Sequence, residues 1–159
     1  DLFLYHEDHD LSWRIRLAGW SMKVAPQAIM YHHYKFNKGV RKYYSSEKNR
    51  LYLLLKNMEI KTLALISPAL IIVEFSQWFH ASIHKWFLLK MKSYIEILIL
   101  LPRILAKRKK QKHLRKVSDK EITRIYQGSL AVSGIKNPLL NYLLSPMLNV
   151  YWKMIRHLI

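Results

Sequence analysis

The sequence predicts a mainly α-helical chain with one short β element: a small charged α/β segment followed by a helical tail that meets a membrane. Three observations carry that expectation. Apolar residues fall at helical spacing in residues 8–18 and 46–58. Residues 62–79 are almost wholly apolar, residues 86–105 are apolar but interrupted by charges, and "KRKKQKHLRK" follows at 107–116. The charge is lopsided: of a net +17, residues 1–60 hold 10 Lys/Arg against 6 Asp/Glu, and residues 61–159 hold 17 against 4.

Asp8 to Ala18 reads as a helix. Acidic residues crowd its first turn, where the helix dipole favours them. Leu11, Ile15 and Ala18 share a face, and Gly19 is placed to stop the helix at C′. Met22–Ala25 and Ala28–His33 read as short extended pieces around Pro26. Residues 34–46, "YKFNKGVRKYYSS", are polar and basic and predict a mobile loop. Ser46 to Met58 returns to helix, with Leu51, Leu54 and Leu55 on one side. Residues 62–79 are at the low edge of bilayer-spanning length, with Pro68 and Glu74 inside. Residues 86–105 carry Lys90, Lys92 and Glu96, a mix suited to lying in an interface, with Trp78, Trp86 and Tyr94 as anchors. "SDKEI" at 118–122 predicts an N-cap and first turn, and Pro138–Ile159 a last amphipathic segment interrupted by Pro146.

Composition excludes several classes. With 51% hydrophobic residues the chain is too apolar for a disordered tail. Without cysteine it has neither disulfides nor thiolate metal sites. Strong positive charge in so apolar a chain points to anionic lipid or nucleic acid. No helix-turn-helix, RNP or zinc-finger pattern supports the second, so no nucleic-acid partner is expected. The chain opens on Asp1 with no signal or transit segment, and is read as a C-terminal piece of a longer protein.

The densest chemistry is "FLYHEDHDLSWRIRLAGW" at 3–20, with Glu7, Asp8 and Asp10 between His6 and His9. "HEDH" is not the zincin H-E-x-x-H, because the Glu falls in the wrong frame. The acidic residues suit helix capping equally well. A carboxylate at a helix start on a cleft edge also suits a general base, and Arg14 on the same helix could orient a carboxylate or bind phosphate. Asp10 is assigned mostly to helix capping. Trp13 and Trp20 could stack on a sugar, but core packing is the expectation for both.

The order of these features resembles the acceptor-side segment of family 2 glycosyltransferases of the GT-A fold, in particular bacterial and archaeal rhamnosyltransferase-like members. The resemblance rests on Glu7-Asp8 opening a helix, Asp10-Leu11, Arg14, Gly19, Pro26 and His32, with 24 positions from Asp8 to His32. "KYYSSEKNRLYLLLKN" at 42–57 extends it, with Lys48-Asn49-Arg50 where the family usually reads Arg-Asn-Arg. It covers about residues 1–58 and is weaker in the tail. The fold it implies is the C-terminal part of a GT-A α/β domain followed by a helical membrane-associated tail.

The resemblance implies roles. Asp8 is the general base that deprotonates the acceptor hydroxyl for in-line, inverting attack on the anomeric carbon, and Glu7 flanks it. His32 is a ligand to a divalent cation, Mg2+ or Mn2+, with His33 as competitor and a polar contact at a strand end as the alternative. Arg14, Lys38, Arg41, Lys42 and Arg50 bind substrate or diphosphate, and Lys48 compensates charge; a solvated basic face or lipid contact remains open for the cations. The partners implied are a nucleotide-sugar donor and a glycan or lipid-linked acceptor, in cell-envelope polysaccharide synthesis. The family's nucleotide-binding half, with its βαβ units and Asp-x-Asp, is not in these residues, so this segment alone is expected to be inactive.

The expected organisation is 1–60 as the acceptor-side part of the transferase domain, 61–116 as membrane-associated helices with the basic run, and 117–159 as amphipathic helices. Positive flanks place the anchor on an anionic membrane surface at the cytoplasmic face of the cell membrane. The rival is a non-enzymatic basic membrane-binding helical module.

Overall fold

The computed structural model describes residues 2, 4–31, 33, 39–129 and 139–159. The described residues are mainly helical, with no β-strand among them: α1 (Glu7–Leu17), α2 (Arg41–Asn57), α3 (Ile60–Ile83), α4 (Phe87–Lys112), α5 (Asp119–Thr123), a π-helical turn (Leu139–Leu144) and α6 (Ser145–Ile155). They form two compact units. The first comprises Asp1–Asn57 and Gln77–Val117, the second Met58–Ser76 and Ser118–Ile159. Helix α3 runs through the boundary between them.

In the first unit α2 and α4 pack side by side and point the same way, since Glu47 meets Lys90, Lys48 meets Glu96 and Asn57 meets Gln111. Their apolar seam is Tyr52, Ile97 and Ile104, flanked by Leu51, Leu55 and Leu100. The last carbonyls of a helix have no partner within it. Here Arg108 Nη1 donates to the Leu55 carbonyl at 2.6 Å and Arg115 Nη2 to the Asn57 carbonyl at 2.5 Å, setting positive charge at the negative end of the α2 dipole. Helix α1 meets α2 where Asn57 donates to Asp10, and it buries Trp13 and Leu17. It ends as Gly19 predicts. Gly19 (φ 80) donates to Arg16 O at 2.9 Å and Trp20 to Ile15 O at 3.1 Å, a Schellman pair whose left-handed residue favours glycine. Lys116 N–H, donating to Leu17 O at 2.7 Å, ties the end of the basic run to that terminus.

In the second unit α6 buries Leu148 and Ile155, and Tyr151 donates its hydroxyl to Leu65 O at 2.7 Å. Asp119, fully buried, accepts the Glu59 N–H at 2.6 Å and so satisfies a donor at the start of α3. At Gly128 a Cβ would come within 2.6 Å of Leu148 O, so only glycine lets α6 approach.

Several expectations are corrected. The described residues of the extended pieces around Pro26 are irregular and exposed, with one turn closed by Ala28 N–H to Ala25 O at 3.0 Å; no neighbouring strand among the described residues offers a ladder. The loop predicted at 34–46 lies outside the described residues at 34–38, and from Arg41 it is the first turns of α2. The basic run does not follow α4 but forms its last turns, to Lys112. Pro146 starts α6 rather than interrupting it, because its missing N–H is harmless in a first turn. Ser118 sits at N-cap without a side-chain capping bond. Trp86 is buried and Trp20 is 71% exposed, reversing the anchor and core assignments made for them.

Candidate functional site

The site is built on a strained entry to α1. Leu4, Tyr5 and His6 have φ of 61°, 80° and 65°, three consecutive non-glycine residues in the left-handed region. Each costs about 1 kcal/mol or more, and such backbone persists only when its surroundings over-determine it. Asn49 does so. Its side chain is fully buried, and its Nδ2 donates to Leu4 O at 3.1 Å and to Tyr5 O at 2.9 Å. His6 then takes the N-cap position with no side-chain cap. Its Nδ1 is 3.1 Å from His9 Nδ1 and its Nε2 3.5 Å from Ser46 Oγ. Burial, and then the positive fields of His9 and Arg50, hold the His6 pKa below the usual 6.5.

The first turn of α1 presents three carboxylates in different settings. Glu7 and Asp8 are exposed, and Asp8 Oδ1 accepts the backbone N–H of His9 at 2.8 Å. Asp10 is 8% exposed and is the hub of the site. It accepts from Asn57 Nδ2 at 3.0 Å, from Arg14 Nε at 3.2 Å and from the Lys56 ammonium. Asn57 Oδ1 in turn accepts from Gln111 Nε2 at 2.6 Å. A polar chain thus joins α1, α2 and α4. Asp10 is therefore no helix cap: its carboxylate turns into the protein, because a full positive charge and two further donors await it there.

Beside this hub lies a cleft of about 430 Å3. Its walls include Glu7, Asp10 and Arg14 from α1, at helical spacing on one face, Tyr52 and Lys56 from α2, and Lys110 from the last turns of α4. Burial pushes the Tyr52 hydroxyl pKa up. Of the site residues expected from the sequence, Glu7 and Arg14 line this cleft, and Asp8 stands exposed on the same first turn. Arg41 and Lys42 open α2 at its other end, with Lys42 Nζ 5.2 Å from the Tyr43 ring centre. Arg50 donates to Glu47 at 3.1 Å and to Gln77 at 3.4 Å. Lys48 pairs with Glu96 at 3.2 Å. His32 and Lys38 lie outside the described residues, and His33 is exposed.

Among the described residues no three His, Asp or Glu side chains converge on a point where a metal ion could sit. The arrangement offers an exposed carboxylate pair at the positive end of a helix, on fixed backbone, beside a cleft walled by cations. That can take a proton from a hydroxyl at its mouth and attract an anionic group within.

Sequence reading missed Asp10 as hub, Asn49 as clamp, and the α4 lysines as cleft wall. One signal was present: asparagine is unfavourable in a helix interior, and Asn49 stands in the middle of α2. No family model, curated protein or solved structure matches the chain.

Proposed function

We propose that these residues form the acceptor-side part of an inverting, membrane-associated glycosyltransferase of the family 2, GT-A type. It moves a sugar from a nucleotide-sugar donor to a glycan or lipid-linked acceptor in cell-envelope polysaccharide synthesis. The observation that supports this best is the exposed Glu7-Asp8 pair at the start of α1, on backbone held by Asn49, next to a cation-walled cleft. A hydroxyl attacks an anomeric carbon only when its proton has a place to go. In this reading Asp8 takes that proton, Glu7 holds the acceptor, and Asp10 keeps α1 seated. Arg14, Arg41, Lys42 and Arg50, with Lys38, balance phosphate charge.

A divalent cation belongs to the reading. Such an ion neutralises a leaving diphosphate. His32 would supply one ligand, and the nucleotide-binding half, absent from these 159 residues, the others. Helix α3, 24 residues long, is long and apolar enough to cross a membrane, and it supports membrane association, with the cytoplasmic face proposed from the basic flank. The alternative, a non-enzymatic membrane-binding module, shares that support but gives Asp8 nothing to do.

The test is sugar transfer by a full-length protein carrying these residues, assayed against a nucleotide-sugar panel. Asp8→Asn should lower turnover about a hundred- to ten-thousand-fold while donor binding persists. A wild-type rate in that variant removes Asp8 as base, and no transfer by the unaltered protein with any donor favours the alternative.

A further inference from the structure

Helix α4 hides one charge, Lys90, and shows hydrocarbon along its outward side, with Lys92 exposed at the edge. On α4 Lys90 and Ser93 are fully buried, while Leu88 (77% exposed), Met91, Ile95, Leu98 (68%) and Ile99 face outward. Their spacing of three and four makes one stripe. It continues to the exposed Leu105, about 25 Å along the helix. Phe79, near the end of α3, is 71% exposed. In a helix covered by water this stripe faces the core. Here the outward medium must itself be apolar.

Charge identifies that medium. The last turns of α4 and the residues after it, 107–116, hold seven Lys/Arg and no Asp/Glu. Of these, Lys109 and Lys112 are exposed and continue the stripe four and seven residues after Leu105, and a second copy packed on this face would set like charge against them. An anionic bilayer brings the opposite sign together with hydrocarbon.

The first unit also opposes crossing. Gln77, near the end of α3, accepts from Lys90 Nζ at 2.9 Å and from Arg50 of α2 at 3.4 Å. Helix α2 ends at Asn57, three residues before α3 begins. Carrying the end of α3 into hydrocarbon therefore brings Lys90 and Arg50, both bonded to Gln77, and their partner Glu47 with it. Ionised groups at that depth are costly.

We infer that the chain docks on one leaflet of an anionic membrane through the outward stripe of α4 and the end of α3, and does not cross it. This rests on the membrane association proposed above and not on the sugar chemistry. The chain has no cysteine, so introduced ones report sidedness cleanly. Lys61→Cys lies at the start of α3 and Lys85→Cys in the turn before α4, both exposed. The purified chain is mixed with preformed phosphatidylcholine vesicles, with and without phosphatidylglycerol. It should float with the anionic vesicles, and both cysteines should react with a membrane-impermeant maleimide added outside. Leu98→Asp should weaken flotation about tenfold or more with helicity by circular dichroism unchanged. A Lys85→Cys thiol protected until detergent is added, beside a reactive Lys61→Cys, means that α3 crosses and overturns the inference while leaving membrane association intact. Flotation indifferent to Leu98→Asp moves the contact to another face and also overturns it. No flotation with either vesicle removes both.

Discussion

Helices α2 and α3 follow one another in the chain, and they hide opposite things. Of the 17 residues of α2, those buried include Glu47, Asn49, Lys56 and Asn57. Of the most apolar eighteen-residue stretch of α3, only 11% is buried. A globular protein in water does the reverse, since unpaired buried charge is expensive and exposed phenylalanine gains nothing. The difference teaches that α2 is the structural axis, its buried Glu47, Asn49, Lys56 and Asn57 each held by a specific partner, whereas α3 and the front of α4 are shaped for what lies outside the protein.

The comparison breaks most visibly at Asp10. Asp10→Ala leaves the buried Lys56 ammonium and the Asn57 amide without their acceptor, and should cost about 3–5 kcal/mol in denaturant unfolding. A loss under about 1 kcal/mol would show the hub to be solvated and α2 no true axis.

Next comes Lys90, at 0% exposure, bonded to Glu47 at 2.7 Å and Gln77 at 2.9 Å, with the Trp78, Trp86 and Tyr94 rings 5.4–5.8 Å away. Glu47→Ala should cost about 3 kcal/mol, and adding Lys90→Met should recover most of it, because the stranded charge goes with the lysine. Additive losses in that double-mutant cycle would show that packing, not charge, dominates the seam.

Asn49→Ala should cost about 1–3 kcal/mol, the price of two orphaned carbonyls on strained backbone. Amide hydrogen exchange should quicken at the start of α1 before it does along α2; uniform acceleration would deny Asn49 a local role.

The smallest effect is on pH. His6 binds its proton less readily folded than unfolded, so below 6.5 the unfolded chain holds more protons. Stability should be flat above 6.5 and fall as the pH drops from there toward the folded-state value. His6→Gln should reduce that slope, leaving the share of His80, which burial likewise holds below 6.5, and an unchanged slope in the variant would assign it to other groups.

Much of the helical plan was legible from spacing. α1 differs from its expected span by one residue at each end, and Gly19 marks its end because a left-handed residue there has few alternatives. The resemblance picked out Glu7, Asp8 and Arg14, which the fold sets on one helix beside one cleft. What periodicity could not tell is which neighbour a polar side chain meets. Asp8 and Asp10 look alike in sequence, yet one faces water and the other closes on Lys56, a choice made by a helix 46 residues downstream. Nor could it show that Lys110 walls the site, since a basic run reads as solvated whatever it packs against.

The clamp at Asn49 has a consequence for the order in which the molecule can be made. Leu4 and Tyr5 leave the ribosome some 44–45 residues before the side chain that fixes them. Until Asn49 emerges and α2 winds, nothing holds the left-handed turn, and the nascent segment samples ordinary backbone instead. The acidic pair is therefore put in position from behind, once α2 has emerged, and a nascent chain stalled before α2 would carry Glu7 and Asp8 without the geometry that distinguishes them.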